Sequence, residues 1–221
     1  MLTRVLEPEV MDAEEEARDY DYMDHDEVNR SFAADWLQLR PDVSNVLDLG
    51  TGTALIPIEI CRQVPEAHLT GVELGEWMLK YAGKNVEQAD LAARIQLEHA
   101  DAKQLSHADG HFSSVISNSI VHHVAEPIVV LREALRVLRP GGVIFVRDLL
   151  RPAEREELTH LVNTYAGDAN SHQQELFGDS LRAALTLEEL TATGGELGFG
   201  KETVEQTTDR HWTWKTTKES A

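Results

Sequence analysis

The sequence predicts a doubly wound α/β fold, a mostly parallel sheet with helices on both faces, and three observations carry that expectation. Short apolar runs at residues 46–49, 69–73, 95–97, 113–117 and 143–146 alternate with longer stretches of helical periodicity. The first run enters a glycine-rich turn, Gly50-Thr51-Gly52, that opens a helix. The chain has 221 residues, 42% hydrophobic and 27% charged, enough to bury one sizeable core and too few for a modular assembly.

Taken in order, the chain begins with an acidic stretch. Its first thirty residues hold eleven acids against Arg4, Arg18 and Arg30, a run expected to be a solvated face. Val28, Phe32, Trp36 and Leu39 follow at intervals of four, four and three, the stripe of an amphipathic helix. Residues 1–40 are therefore expected to form an acidic segment and cap helix packed on a core of residues 41–221, one structural domain overall. Val46-Leu47-Asp48-Leu49 reads as a buried strand and residues 56–61 as the helix after the turn. Residues 69–73 form the second strand, 76–85 a helix, and 95–97 and 113–117 the next two strands. Pro127 suits a first helical turn, and Ile128, Leu131, Leu135 and Leu138 share a face, so a helix is expected to about Arg139. Pro140-Gly141-Gly142 should end it before the fifth strand at 143–146.

Charge and composition exclude several classes. Twenty Lys and Arg against 39 Asp and Glu give −19, a field that repels polyanions, so no nucleic-acid partner is expected. The single cysteine, Cys61, permits no internal disulfide, and the amino end is acidic where a secretory peptide needs an apolar core. No apolar run approaches the ~20 residues of a membrane helix. The expectation is a cytoplasmic protein without a membrane partner, monomeric or homodimeric.

The chemistry concentrates at Asp48-Leu49-Gly50-Thr51-Gly52. Dinucleotide enzymes place a pyrophosphate on a G-x-G-x-x-G turn, but position 55 is Leu, so the third glycine is missing. Asp48 ends the strand where a carboxylate would oppose a pyrophosphate and suit a cationic amino group.

This run resembles the first motif of the class I methyltransferases that use S-adenosylmethionine, and the later landmarks arrive in that family's order. The resemblance covers roughly residues 43–148 and implies a Rossmann-like, seven-stranded sheet, with 201–206 and 211–215 supplying an antiparallel pair at its end. It also implies a cofactor set. Asp48, Gly50, Thr51 and Gly52 form the turn; Glu73, twenty-five positions after Asp48, would bind the ribose hydroxyls, with Leu74 beside it. Met78 would lie against adenine, its alternative being core; Asp101 and the Ala102 backbone would read the adenine edge, Asp101's alternative being a loop cap. By the same resemblance, Asn118 at the end of the fourth strand would lie beside the sulfonium and acceptor.

Methyl transfer from a sulfonium needs mainly positioning, and an acceptor that must lose a proton needs a base. His123 is the first candidate and Asp148 the second, the alternatives being a core or loop histidine and an ion pair of Asp148 with Arg147 or Arg151. No metal is expected, because neighbouring His122 and His123 should point apart. In the flanks, Tyr22, His25, Arg182 and His211 are the candidates to line an acceptor pocket. The implied function is methylation of a small molecule. Its alternatives are a non-catalytic S-adenosylmethionine-binding regulator and a nicotinamide oxidoreductase.

Overall fold

The structure is a computed structural model that describes residues 2–8, 13–23 and 25–219. Glu9, Asp12 and Asp24, three of the acids in the amino-terminal run, lie outside the described residues.

Seven strands form one sheet in the order β3-β2-β1-β4-β5-β7-β6. They are β1 (Val46–Leu49), β2 (Leu69–Glu73), β3 (Ile95–His99), β4 (Phe112–Asn118), β5 (Leu138–Leu149), β6 (Val204–Gln206) and β7 (His211–Thr217). β1 pairs in parallel with β2 and β4, and β2 with β3, whereas β6 and β7 are antiparallel. The doubly wound sheet and its terminal antiparallel pair are thus those expected. The helices are α1 (Glu14–Asp21), α2 (Asp26–Leu37), α3 (Leu55–Gln63), α4 (Glu76–Gln88), α5 (Pro127–Val137), α6 (Arg155–Ala166), α7 (Ser171–Ala183) and α8 (Leu187–Glu196). None is long and apolar enough to cross a membrane.

The chain separates into two compact units. The larger unit takes the described part of residues 10–118 with 129–146 and 215–219. Its core is the buried cluster of Phe32, Trp36, Val46, Ile58, Ile60, Ile116 and Phe145. Phe32 and Trp36 come from the expected stripe, and α2 packs on α3. The Trp36 indole N–H donates to Ser114 Oγ at 3.1 Å, which satisfies its one donor inside the core. The smaller unit takes the described part of residues 1–9 with 119–128 and 147–214, around Leu149, Leu161, Leu181 and Ala184.

One boundary differs from expectation. α5 stops at Val137 and β5 opens at Leu138, so Pro140-Gly141-Gly142 lies within the strand's span instead of terminating a helix at 139. Lys218 explains it: its N–H donates to the Gly142 carbonyl and its carbonyl accepts from Gly141 N–H, at 2.9 and 2.8 Å. Pairing of the backbone outweighs the local turn signal.

Candidate active site

In the larger unit, β1 delivers Asp48 to the mouth of the glycine turn. Gly50 and Gly52 take φ of 67° and 56°, left-handed values that glycine adopts without steric cost. Ala54 follows at φ 64°, an uncommon conformation for a residue with a side chain, and caps the start of α3. The turn is packed onto β2 so closely that a Cβ on Gly71 would stand 2.7 Å from Thr51 Oγ1.

Asp48 is 2% exposed, and its Oδ2 accepts from Thr51 Oγ1 at 2.7 Å. Burial, offset in part by that hydroxyl and reinforced by the charge of Glu73, pushes its carboxyl up to about 7. Around it, Tyr20, Asn29, Gly50, Thr51, Thr53, Leu55, Ile56 and Asn118 line a pocket. The buried Thr53 Oγ1 in that lining has no hydrogen-bond partner. A buried carboxylate with no cation paired to it among the described residues, and an orphaned hydroxyl, are the complement of a polar, cationic ligand.

Glu73 closes the other side of the turn. Its Oε2 accepts from Gly52 N–H, and its Oε1 accepts from the N–H groups of Leu74 and Gly75, each at 2.9 Å. Two carboxylate oxygens offer about four acceptor sites, so one remains for a ligand hydroxyl.

The structure therefore brings Asp48, Gly50, Thr51 and Asn118 to one pocket and sets Gly52, Glu73 and Leu74 against its turn. It does not bring Met78, Asp101 or Ala102 into that lining. Met78 is buried on α4. Asp101 Oδ1 accepts from the Lys103 N–H at 2.9 Å and meets its ammonium at 3.2 Å, the loop-capping alternative.

Among the flank residues, Tyr22 is 82% exposed and faces solvent, which corrects its assignment to a pocket. Tyr20 takes that position: two residues apart on a helix, the side chains point to opposite sides. Burial pushes the Tyr20 phenol up to about 12, with Glu73 and Asp48 adding to it. His25 supports Tyr20 instead of lining the pocket, its Nε2 lying 3.1 Å from the Tyr20 carbonyl and the rings 4.6 Å apart. Tyr20 stands in an acidic run that reads as a solvated face, and Ala17, Tyr20 and Asp21 at helical spacing are its only local signal; Asn29 has none.

The remaining candidates lie in the smaller unit. Arg182 is paired with Asp179 one turn earlier on α7, so its cation is already matched. His211 Nδ1 lies 2.9 Å from Thr208 Oγ1, and burial, then Arg210, drives its ring down to about 4, so it is neutral. Asp148 is fully buried and saturated. Its Oδ2 meets the N–H groups of Val121 and His122 at 2.6 and 3.2 Å, and its Oδ1 meets His122 Nδ1 at 2.5 Å and Leu149 N–H at 2.6 Å. It is no free base but positions His122, while Arg147 Nε donates to Thr213 Oγ1 at 3.0 Å and Arg151 is engaged by Glu189 and the Ala184 carbonyl.

His122 and His123 do not point apart. They sit on a 3₁₀ turn, Val121–His123, with rings 4.1 Å apart, and both meet Glu7 Oε1, at 3.3 Å from His122 Nε2 and 3.1 Å from His123 Nδ1. Burial opposes protonation of His122, but Asp148 and then Glu7 override it and push the ring up to about 9. For His123, burial and the His122 charge prevail and hold it below the ordinary range.

Residues 46–142 match the family model described as "Methyltransferase domain". The chain is 37% identical over 110 residues to a demethylmenaquinone methyltransferase of Listeria welshimeri, covering 49% of this chain and 46% of that one. It is 30% identical over 172 residues to the 27-O-demethylrifamycin SV methyltransferase of Amycolatopsis mediterranei, covering 76% and 59%. The first of these matches thus spans about half the length of the curated relative. Among solved structures, a putative S-adenosyl-L-methionine-dependent methyltransferase from Methanococcus maripaludis superposes with a TM-score of 0.71 at 14% identity, over 100% of this chain and 99% of that one. The plantazolicin methyltransferase BpumL, solved in complex with SAH, gives 0.69 at 17% identity over 92% and 89%. At these identities the likeness is one of fold.

Proposed function

We propose that this chain, whose residues 46–142 match a methyltransferase domain, is a class I S-adenosylmethionine-dependent methyltransferase that transfers a methyl group from S-adenosylmethionine to a small-molecule acceptor. The observation that carries the reading is Asp48, a buried carboxylate at the mouth of the glycine turn with a hydroxyl as its hydrogen-bond partner and, among the described residues, no cation paired with it.

The residues fit the cofactor. Asp48 would hold the α-ammonium of its amino-acid arm, and Thr53 Oγ1 supplies an unused polar group in the same lining. Glu73 would accept a ribose hydroxyl on its remaining lone pair while its other three keep the turn in shape. Met78 and Asp101 remain proposed for the adenine end, where Asp101 would have to give up part of its bond to Lys103. When bound, the cofactor supplies an already activated methyl group, so the chain's contribution is placement of the two reactants. Tyr20 and Asn29 would exclude water from the Asp48 end of the pocket. Net charge of −19 disfavours a nucleic-acid acceptor, and a small molecule matches the substrates named by the two curated relatives.

Calorimetry with S-adenosylmethionine and its demethylated product, followed by incubation of a cell extract with a labelled methyl donor, tests the proposal. Expected are micromolar or tighter binding of both and label in a small molecule. Binding without turnover on any extract supports the regulatory alternative, and binding of NAD with no affinity for S-adenosylmethionine overturns the reading.

A further inference from the structure

In the smaller unit, we propose that Glu7, His122 and His123 form a binding site for a divalent transition-metal ion of the zinc class, a site independent of the methyl-transfer reading. One ligand atom from each of Glu7, His122 and His123 lies within 4.8 Å of the others, and Glu7 Oε1 meets both His122 Nε2 and His123 Nδ1. Bonds of about 2.0–2.2 Å in tetrahedral geometry set neighbouring ligand atoms roughly 3.3–3.6 Å apart. The 3.3 and 3.1 Å separations from Glu7 Oε1 approach that spacing.

Two features separate this cluster from an ordinary polar contact. Glu7 Oε1 and His123 Nδ1 are buried and lack hydrogen-bond partners, since their approach to each other has the distance of a bond without its direction. A cation between them satisfies both. The groups are also held from behind. Asp148 accepts at His122 Nδ1, the arrangement that holds the ring with Nε2 toward Glu7, where a metal ion would displace the Nε2 proton. Ser180 Oγ donates to Glu7 Oε2 at 3.2 Å, leaving Oε1 for the site.

The strap that carries Glu7 is secured independently. Leu2 N–H donates to the Ala153 carbonyl and Val5 N–H to that of Arg182. The Arg4 guanidinium reaches the carbonyls of His122, Val124, Ala125 and Ala183, joining the strap directly to the turn that carries both histidines. Two imidazoles and a carboxylate suit zinc, iron, nickel or copper better than magnesium or calcium. Three protein ligands leave a coordination position for water or a polar small molecule.

The test uses full-length, tag-free protein stripped with a chelator, then titrated with Co²⁺ and Zn²⁺. Expected is one equivalent of Co²⁺ with the intense visible absorption of a four- or five-coordinate ion, displaced by one equivalent of Zn²⁺. Glu7→Gln and His123→Gln, at partly exposed positions, should each weaken binding at least tenfold with circular dichroism unchanged. Histidine ring-nitrogen magnetic resonance gives a second readout, in which Zn²⁺ should shift His122 and His123. Absence of stoichiometric binding, equal binding in both variants, or shifts confined to other histidines would overturn the proposal.

Discussion

The backbone N–H of Gly52 donates to Oε2 of Glu73 at 2.9 Å, so the acid that ends β2 holds the turn that follows β1. The same carboxylate receives Leu74 and Gly75 on its other oxygen, and all three bonds are charge-assisted. Glu73→Gln keeps one accepting oxygen and puts an amide donor against an N–H. It should weaken S-adenosylmethionine binding by about 1–3 kcal/mol, roughly fivefold to 150-fold. Glu73→Ala should do the same and also lower the melting temperature of the ligand-free protein. Calorimetry on both variants checks this, and unchanged affinity in both would remove Glu73 from the site.

Gly71 lies on the strand face against which the turn is packed. Because a methyl there would sit 2.7–2.9 Å from Oγ1, Cβ and Cγ2 of Thr51, Gly71→Ala must displace a threonine that bonds to Asp48. The expected cost is about 1–3 kcal/mol of stability, as for overpacking of a close-packed core. Cofactor affinity should fall as well. Gly83→Ala, with nothing within 4 Å of the added methyl, is the control that should leave both unchanged or raise stability slightly.

What could be read from the chain follows from locality. The bounds of β1 and β2 are those expected because each is a short apolar run that a turn closes, and Asp48, Thr51 and Glu73 are fixed by position on those runs. α6 was not anticipated, since Leu161 is its one fully buried residue and a single burial makes no periodic stripe. Asn29 joins the pocket from nineteen positions before Asp48 on a different element, and no local pattern announces that. Glu7 stands in a run of acids whose average behaviour is to face water; its particular fate is decided by Arg4 and Ser180. The pairing of His122 with His123 depends on a 3₁₀ turn, where helical or strand periodicity gives the wrong relative direction.

Tyr20 and Tyr22 supply a paired test of the helix face. Tyr20 lines the Asp48 pocket, while Tyr22 is 82% exposed. Tyr20→Ala should lower both stability, by about 1–3 kcal/mol as for a half-buried aromatic, and cofactor affinity. Tyr22→Ala should change neither by more than about 0.5 kcal/mol. Equal responses in thermal unfolding and calorimetry would contradict the orientation of α1.

Arg4 fastens the amino-terminal strap through four carbonyls. Arg4→Ala should release it, because carbonyls that accepted from a cation are left to water and each lost bond is of the charged kind. Native-state hydrogen exchange at Val5, whose N–H is bonded to the Arg182 carbonyl at 3.2 Å, should accelerate by at least tenfold. Amides of β1 and β4 in the larger unit should keep their protection. Unchanged exchange at Val5 would mean that other contacts hold the strap.

Asp48 should make both folding and cofactor binding depend on pH, with opposite slopes. Its carboxyl sits at about 7 in the folded protein against an ordinary value of 3.8, raised first by burial and further by Glu73, though lowered by Thr51. Between those values the folded chain keeps a proton that the unfolded chain has lost. Stability should therefore be greatest below about 4 as far as this group is concerned, and decline as pH rises toward 7, by a few kcal/mol at most. Binding runs the other way, since an ammonium favours the ionised carboxylate and draws its proton off. S-adenosylmethionine affinity should rise from pH 5.5 to 7.5 by up to tenfold per unit and then level off, with proton release measurable as a buffer-dependent binding enthalpy below pH 7. Asp48→Asn should flatten both profiles: it removes the titrating group while keeping an acceptor for Thr51. A wild-type affinity that is flat across this range would mean that Asp48 is already ionised without ligand, or that the ammonium is bound by something else.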